Sequence, residues 1–343
     1  MKQETKQKVT AVVCTHNRYF DTLPLCLSAI ATQTYKPHEI LIYDDGDHTD
    51  VRNASPYNSL FPMIQVSGIN FRVIFTNEGQ VAGHRKSLTD SEGSFIWRVD
   101  DDEVPEPNTL EILMGNMKKG VGAVGGCVLD PKNTTVATMA SNKIEDIYLG
   151  VNIQWFKHTT ISEVDHLYSS FVYRKKAVKP EFYANLSRVG HREETIFSHE
   201  IKRAGWKLIV DPTAITWHLR NPNGGIRSES NQTLWAQDEQ VFTDKLKQWG
   251  IVPTQYKFVV LDCGLGDHLM FKSILPDMMK KYQNLIIAMC YPEVFREDKD
   301  VKLISIAEAK AMMDIEEFNV YKYAWDRNWD KSLIGAYRGL YSV

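Results

Sequence analysis

The composition of this 343-residue chain, 43% hydrophobic and 24% charged, is that of a soluble globular protein with about two domains. Its formal net charge of -3 gives no general attraction to nucleic acid or to an anionic membrane, although a local basic groove is compatible with it. The apolar run near the amino end is too short for a signal peptide, and no run approaches the roughly twenty residues of a membrane span. Five scattered cysteines without metal-type spacing favour reduced thiols, so we expect a cytoplasmic protein.

The first hundred residues alternate short apolar runs with helical segments. Apolar and β-branched residues predict strands over residues 9–14, 39–43, 71–75 and 95–99. Repeated strand and helix units of this length indicate a parallel sheet with helices on both faces. The carboxyl ends of three of these strands would bring polar segments to one edge, at residues 15–18, 44–45 and 100–102.

Three consecutive carboxylates, Asp100, Asp101 and Asp102, follow the fourth of these strands. Like charges this close repel each other unless a cation or a hydrogen-bonding ligand offsets them, and Mg2+ or Mn2+ prefers such oxygen ligands. Pro105 and Pro107 are expected to end the strand and lead into a helix. A solvated acidic turn is the alternative for this segment taken alone.

The middle of the chain predicts strands over residues 121–128 and 167–173, on either side of a polar, irregular stretch. Such a stretch is where we expect the specificity for a substrate to be set. Three aromatic side chains in this region would either stack on a ring of the substrate or pack in the core: Tyr148, Trp155 and Phe156.

Five motifs in order resemble those of the family-2 glycosyltransferases, over roughly residues 8–222. They are CTHNR, LIYDDGDHTD, VAGHRKS, RVDDDEVPEPNTL and HREETIFSHEIKRAGWKLIVDPTAITWH. The resemblance implies an α/β fold of the GT-A type, a Rossmann-like nucleotide-diphospho-sugar transferase domain. It also implies a Mn2+ or Mg2+ cofactor, with Asp102 as the direct metal ligand, Asp100 in support and His218 completing the site.

The same resemblance implies a set of residues that bind the nucleotide sugar. Asp44 would accept a hydrogen bond from the base edge, and Asp101 would lie near the ribose. Arg85, expected at a helix start, would add its guanidinium and the helix dipole to the diphosphate, unless it is a plain surface residue. A loop after His218 that bears Arg220 and Arg227 would close over the donor, unless it is a linker. The remaining members of the predicted set are Thr15, His16, Asn17, Arg18 and Asp45.

Transfer with inversion needs a carboxylate that takes the proton of the acceptor hydroxyl. In the resembled family this is the second acid of an acidic pair, so Glu194 is the expected base and Glu193 the reserve. Helix amino ends also attract acids for dipole reasons alone, which is the structural alternative.

After a loop and connecting helix at residues 223–253, a small second domain is expected over 254–343. Its GLGD stretch resembles the opening of the heptosyltransferase-like family 9 enzymes, which have the GT-B fold, and Asp267 matches their base. Only about ninety residues remain, too few for the nucleotide-binding half of that fold. We therefore expect a small Rossmann-like α/β domain that docks on the first domain or binds a protein partner.

The sequence thus predicts an inverting, metal-dependent glycosyltransferase for residues 1–222. A UDP-sugar is the favoured donor, and the acceptor is a glycan or another hydroxyl compound. The alternatives are a nucleotidyltransferase of the same fold, which needs no base at Glu194, and a non-catalytic sugar-binding or scaffold protein. Glycosylation of DNA bases stays open, although the acidic balance disfavours nucleic acid as a partner.

Overall fold

The structure is a computed structural model that describes residues 7–138, 144, 159–225, 232–252, 257–312, 315–327 and 332–343. These residues fall into two compact units, the first ending at residue 251 and the second beginning at residue 252. No helix in the described ranges combines the length and the apolar character needed to cross a membrane. Four residues singled out in the sequence lie outside the described ranges: Tyr148, Trp155, Phe156 and Arg227.

The first unit is built on one sheet. Its ten strands are β1 (Val9–Thr15), β2 (Glu39–Asp44), β3 (Asn70–Phe75), β4 (Phe95–Asp100), β5 (Glu103–Pro105), β6 (Val121–Asp130), β7 (Asn133–Thr138), β8 (Ser162–Val164), β9 (Phe171–Arg174) and β10 (Lys207–His218). Their order is β3-β2-β1-β4-β9-β6-β10-β5, with β7 beside β6 and β8 beside β10. The half formed by the first four strands of the chain is parallel, as predicted. The other half is mixed, because β9 runs antiparallel to both β4 and β6.

Helices cover both faces of this sheet. They are α1 (Leu23–Ala31), α2 (Tyr57–Val66), α3 (Gln80–Asp90), α4 (Thr109–Gly115) and α5 (Glu193–Arg203). A further helix, α6 (Gln232–Trp249), contacts α5, with Lys245 2.9 Å from Glu200. Because side chains alternate along a strand, β1 sends Val13 into one core, shared with Leu27 of α1. It sends Val12 into a second core, shared with Phe197 of α5. The predicted α/β class with helices on both faces is confirmed.

The strand registers place the predicted polar segments together. Thr15 is paired with Asp44 and Cys14 with Asp100, so β1, β2 and β4 all end at the same edge. Neighbouring β1 and β4 lie where the strand order reverses, the point at which open α/β sheets bind ligands.

A short strand that the sequence did not predict follows the triplet. Pro105 and Pro107 were expected to lead directly to a helix, but Glu103–Pro105 first forms β5, antiparallel to the end of β10. Pro105 is tolerated there because β5 is an edge strand with one unpaired side. The pairing sets Glu103 opposite His218.

The second unit has a parallel three-stranded sheet in the order β11 (Lys257–Leu261), β12 (Leu285–Met289) and β13 (Val301–Ser305). Its helices are α7 (Leu265–Lys281), α8 (Ile306–Met312), α9 (Val320–Asp326) and α10 (Leu333–Tyr341). A strand, the GLGD loop, a helix and a second strand follow one another at its start, as β11, α7 and β12. Within GLGD, Gly264 caps α7, and the N–H of Gly264 donates a hydrogen bond to a carboxylate oxygen of Asp267 at 3.1 Å.

Candidate active site

A cavity of about 130 Å³ opens at the carboxyl edge of the first sheet, where β1 and β4 end. Its lining gathers most of the polar residues that the sequence predicted for the donor site. The lining residues are Cys14, Thr15, His16, Arg18, Asp45, Gln80, Asp100, Asp101, Asp102, His218 and Gly225.

Arg18 is the cation that faces the acidic triplet. Its Nη1 lies 2.6 Å from Oδ1 of Asp101 and 3.0 Å from Oδ2 of Asp102. Thr15 donates a further hydrogen bond from its Oγ1 to Asp101 at 2.8 Å. Burial raises the pKa of Asp101 to about 6, with the Arg18 charge acting in the opposite direction. The triplet is therefore partly neutralised by the chain's own guanidinium.

The same guanidinium ties the loop that follows β10 to the segment that follows β1. Arg18 donates from Nη2 to the carbonyl of Asn221 at 3.1 Å and from Nε to that of Asn223 at 3.3 Å. Gly225 donates its N–H to the carbonyl of His16 at 2.7 Å. Gly224 has φ +62°, and a Cβ there would lie 2.9 Å from the carbonyl oxygen of Asn17, so this contact requires glycine.

A group of three side chains has the geometry of a cation site. Ligand atoms of Asp100, Glu103 and His218 all lie within 4.8 Å of one another. Asp102, predicted as the direct metal ligand, adjoins this group, because its Oδ1 lies 3.7 Å from Nε2 of His218. Two carboxylates and an imidazole form a donor set that suits Mn2+, and Nδ1 of His218 has no hydrogen-bond partner among the described residues.

Glu103 is a site residue that sequence reasoning missed. It is fully buried and accepts hydrogen bonds from the Asp100 N–H at 3.0 Å and from the Ser169 hydroxyl. Burial, followed by the charge of Asp100, raises its pKa well above the usual value for a glutamate. The pairing of β5 with β10 creates this cluster, and no local signal marks that pairing in the sequence.

Two neighbouring acids after β2 have different surroundings. Asp44 accepts hydrogen bonds from the Tyr19 hydroxyl at 2.7 Å and the Gly46 N–H at 3.0 Å, and it does not line the cavity. Asp45 does line it. One carboxylate oxygen of Asp45 accepts from the Gly79 N–H at 2.8 Å. Its Oδ2 accepts no hydrogen bond within the described residues, but it lies 3.6 Å from Nη2 of Arg188 in an ion pair.

Two other predicted residues lie away from the cavity lining. Arg85 was expected at a helix start, but α3 begins at Gln80, so Arg85 is in the second turn with an exposed side chain. Its placement was therefore wrong, and Gln80 is the residue of α3 that reaches the cavity. Asn17 is exposed with φ 58°, and its Oδ1 accepts from the Asp47 N–H at 2.8 Å, which shapes the turn.

The acidic pair at the start of α5 divides into two environments. Glu193 is 2% exposed and accepts hydrogen bonds from both terminal nitrogens of Arg98, one of them at 2.9 Å. Burial raises the pKa of Glu193, and the Arg98 charge acts against that rise. Glu194 follows in the first turn of α5 with 6% exposure. Arg98 lies two residues before Asp100 on β4, so the ion pair joins the start of α5 to the strand that carries the triplet.

Residues 10–180 match the family model described as Glycosyl transferase family 2. This part of the chain is a glycosyltransferase family 2 segment. It contains the sheet edge that carries Thr15, Arg18, Asp45 and the acidic triplet, in the GT-A type of α/β architecture that the sequence predicted. Glu194 and His218 follow the last matched residue.

Individual proteins show similarity to this chain over part of their length. The chain is 31% identical over 104 residues to the uncharacterized glycosyltransferase YwdF of Bacillus subtilis, covering 30% of this chain and 36% of that protein. It is 27% identical over 114 residues to the cholesterol galactosyltransferase of Borreliella burgdorferi, covering 33% and 30%. The chain thus spans about a third of the length of these curated relatives.

Among solved structures, the family 2 segment and its surroundings resemble S. aureus TarS residues 1–349 in complex with UDP-GlcNAc. The two are 14% identical, with a TM-score of 0.46, and the match covers 70% of this chain and 66% of that one.

Proposed function

We propose that the first unit transfers a sugar, with inversion, from a nucleotide-diphosphate sugar to an acceptor hydroxyl. The observation that carries the proposal is the gathering of Arg18, Asp45, the acidic triplet and His218 around one cavity at the switch point of a family 2 sheet. Such a cavity offers a guanidinium and a cation site to a diphosphate, and carboxylate oxygens to the hydrogen-bond donors of the sugar nucleotide.

Asp102, Asp100 and His218 would hold a divalent cation, with Glu103 as an additional acid of the cluster. When bound, Mn2+ or Mg2+ there would neutralise charge that develops on the leaving diphosphate. Glu103 also fixes the backbone of Asp100 through the hydrogen bond from its N–H. Its first role is therefore to orient Asp100.

Arg18 and Asp45 are the residues that we assign to the nucleotide. Arg18 lies in the cavity lining with two of its nitrogens already oriented by the carbonyls of Asn221 and Asn223. A diphosphate would compete with Asp101 and Asp102 for its Nη1. Asp45 lines the cavity, and among the described residues its Oδ2 accepts no hydrogen bond that a nucleobase N–H would have to displace, with the Arg188 guanidinium 3.6 Å away. Asp44 lies outside the lining. We therefore assign to Asp45 the hydrogen bond with the edge of the nucleobase that the sequence predicted for Asp44.

Glu194 is the proposed base that takes the acceptor's proton. Its neighbour Glu193 is held by Arg98 in a fully buried ion pair, and a carboxylate so engaged is a poor proton acceptor. This difference favours Glu194 over Glu193, the reserve candidate, although both lie in the first turn of α5.

Thermal shift with nucleotides and Mn2+ tests the donor site. We expect UDP-sugars or GDP-sugars to raise the Tm in the presence of Mn2+, because a ligand stabilises the folded protein in proportion to the logarithm of its concentration over its Kd.

The matched pair of variants Asp45→Asn and Asp44→Asn tests which aspartate binds the nucleobase. Asp45→Asn should weaken nucleotide affinity about tenfold, as the loss of one charge-assisted hydrogen bond implies. A nucleotide affinity that falls only in Asp44→Asn would contradict the assignment.

A further inference from the structure

Helix α6, which follows the loop after β10, contacts residues 187–192, the loop that precedes the proposed base Glu194. Asp238 of α6 is fully buried. One of its carboxylate oxygens accepts from the Ser187 N–H at 2.6 Å, and the other accepts from the Ser187 hydroxyl at 2.8 Å and the His191 N–H at 2.8 Å. Three donors from one short loop thus converge on a single carboxylate.

The next residue of α6 holds the other end of the same loop. Glu239 accepts hydrogen bonds from Nε2 of His191 and from Nε of Arg192, each at 3.0 Å. The ring of His191 also lies against Trp235, with centroids 4.5 Å apart, and the Arg192 guanidinium lies 5.2 Å from the Phe242 ring. Residues from two successive turns of α6 therefore fix the position of His191 and Arg192.

The held residues immediately precede Glu194. Arg192 has φ 66°, a left-handed conformation, and α5 begins at the next residue, Glu193. A non-glycine residue keeps such a backbone only where its surroundings enforce it. The contacts with Glu239 supply that enforcement. The direction in which α5 starts, and with it the place of Glu194, depends on this conformation.

We infer that Asp238 and Glu239 are positioning residues for the transfer reaction, which act by fixing the loop 187–192 and thereby aiming Glu194 at the acceptor. This inference rests on the proposed function, in which Glu194 is the base. Asp238 and Glu239 touch neither the cavity nor Glu194 in the contacts above, so their effect on the reaction passes through the loop.

Three variants separate this role from a general contribution to stability. Asp238→Asn keeps the shape of the side chain but turns one acceptor into a donor that faces a backbone N–H or the Ser187 hydroxyl. Glu239→Gln is the milder variant, since its site is 36% exposed and a folded protein is expected. Asp244→Asn makes the same change at an exposed site of the same helix and serves as the matched control.

The measured reaction is the Mn2+-dependent hydrolysis of UDP-glucose, UDP-GlcNAc and GDP-mannose, in which water takes the place of the acceptor hydroxyl, receives the sugar and gives its proton to the base, and UDP or GDP is released. We expect Asp238→Asn to lower kcat about tenfold or more with the donor KM within about twofold, as misplacement of a reacting group predicts. Glu239→Gln should lower kcat in the same direction, and Asp244→Asn should leave it unchanged. Amide hydrogen exchange should become faster in residues 187–194 of the first two variants and not in the control.

The decisive comparison is made in a Glu194→Gln background. If Asp238 acts through Glu194, Asp238→Asn should cost little further activity there, because residues that act as a unit are not additive. The inference would be overturned if Asp238→Asn lowered kcat by the same factor in the wild-type and Glu194→Gln backgrounds. It would also be overturned if both α6 variants kept the wild-type kcat while Glu194→Gln is impaired. Full activity of Glu194→Gln would instead remove the base assignment of the proposed function, and the inference with it.

Discussion

The guanidinium of Arg98 donates to both carboxylate oxygens of Glu193, and both side chains are at most 2% exposed. Arg98 also lies 5.0 Å from the ring of Phe171, so the pair is enclosed by apolar surface. An ion pair in such a place specifies how β4 and α5 meet, and the loss of one partner leaves the other charge buried without compensation.

Arg98→Met should therefore lower the free energy of unfolding by about 3–5 kcal/mol, the range for a broken buried pair. Replacing both partners with apolar residues, as in Arg98→Met with Glu193→Leu, should restore much of that loss. Urea unfolding measures both. The exposed pair formed by Arg52 and Asp50 provides the control, since Arg52→Met should leave the unfolding midpoint unchanged. A small effect of Arg98→Met would show that the pair does not define this contact.

Glu194→Gln removes the proposed base while keeping its shape. Transfer should fall by roughly a hundredfold or more, and nucleotide affinity should change little, because the general base acts on the acceptor. Steady-state kinetics and calorimetric titration of UDP with Mn2+ give the two quantities. Glu193→Gln, compared at equal concentration of folded protein, is the neighbouring control. A larger kcat loss in Glu193→Gln would reverse the assignment of the pair.

The metal assignment predicts which substitution among Asp102 and Glu103 weakens Mn2+ binding more. Asp102→Asn should weaken Mn2+ binding most, by about tenfold or more, because it removes a charged ligand, and most metal-dependent turnover should be lost with it. Glu103→Gln should have the smaller effect, through the Asp100 backbone that it orients. Titration of Mn2+ monitored by Tm gives the order. If Glu103→Gln weakens Mn2+ binding more than Asp102→Asn does, the cation is held by Asp100, Glu103 and His218, and the role of Asp102 is its ion pair with Arg18.

The ion pairs of Glu239 predict that the stability of the protein depends on pH. Burial would raise its pKa, but the hydrogen bonds from His191 and Arg192 outweigh burial and lower the pKa to about 2 from an ordinary 4.5. A depressed folded-state pKa contributes stability that is present above pH 4.5 and is lost as the pH falls toward 2. Wild type should therefore exceed Glu239→Gln in urea midpoint at pH 6, and the difference should shrink between pH 4.5 and pH 3. A constant difference over that range would contradict the pairing.

Much of the fold followed from local patterns. The apolar runs of the first four strands and the acids that follow β2 and β4 are continuous in sequence, and parallel pairing brings such ends to one edge whatever the details of the helices. Thr15, Arg18, Asp45 and Asp100 were placed at the cavity for that reason.

What could not be predicted depends on contacts between distant segments. Glu103 reaches His218 through the pairing of β5 with β10, which spans more than a hundred residues. Arg98 sits in an apolar strand with nothing nearby in sequence to indicate Glu193 as its partner. The position of Arg85 was wrong for a smaller reason: α3 begins one turn earlier than the motif suggested, which moves Arg85 to the exposed second turn.

The central claim, a glycosyl transfer at this cavity, is tested most directly by the identity of the nucleotide product. The protein is incubated with Mn2+ and each of UDP-glucose, UDP-GlcNAc and GDP-mannose, and the nucleotides are separated by ion-exchange chromatography, with Asp102→Asn and excess chelator as controls. With water as the acceptor of the sugar, we expect at least one donor to yield its nucleoside diphosphate, UDP or GDP, and both controls to abolish the product. Formation of UMP or GMP with a sugar phosphate, or of a nucleoside triphosphate from added pyrophosphate, would contradict it.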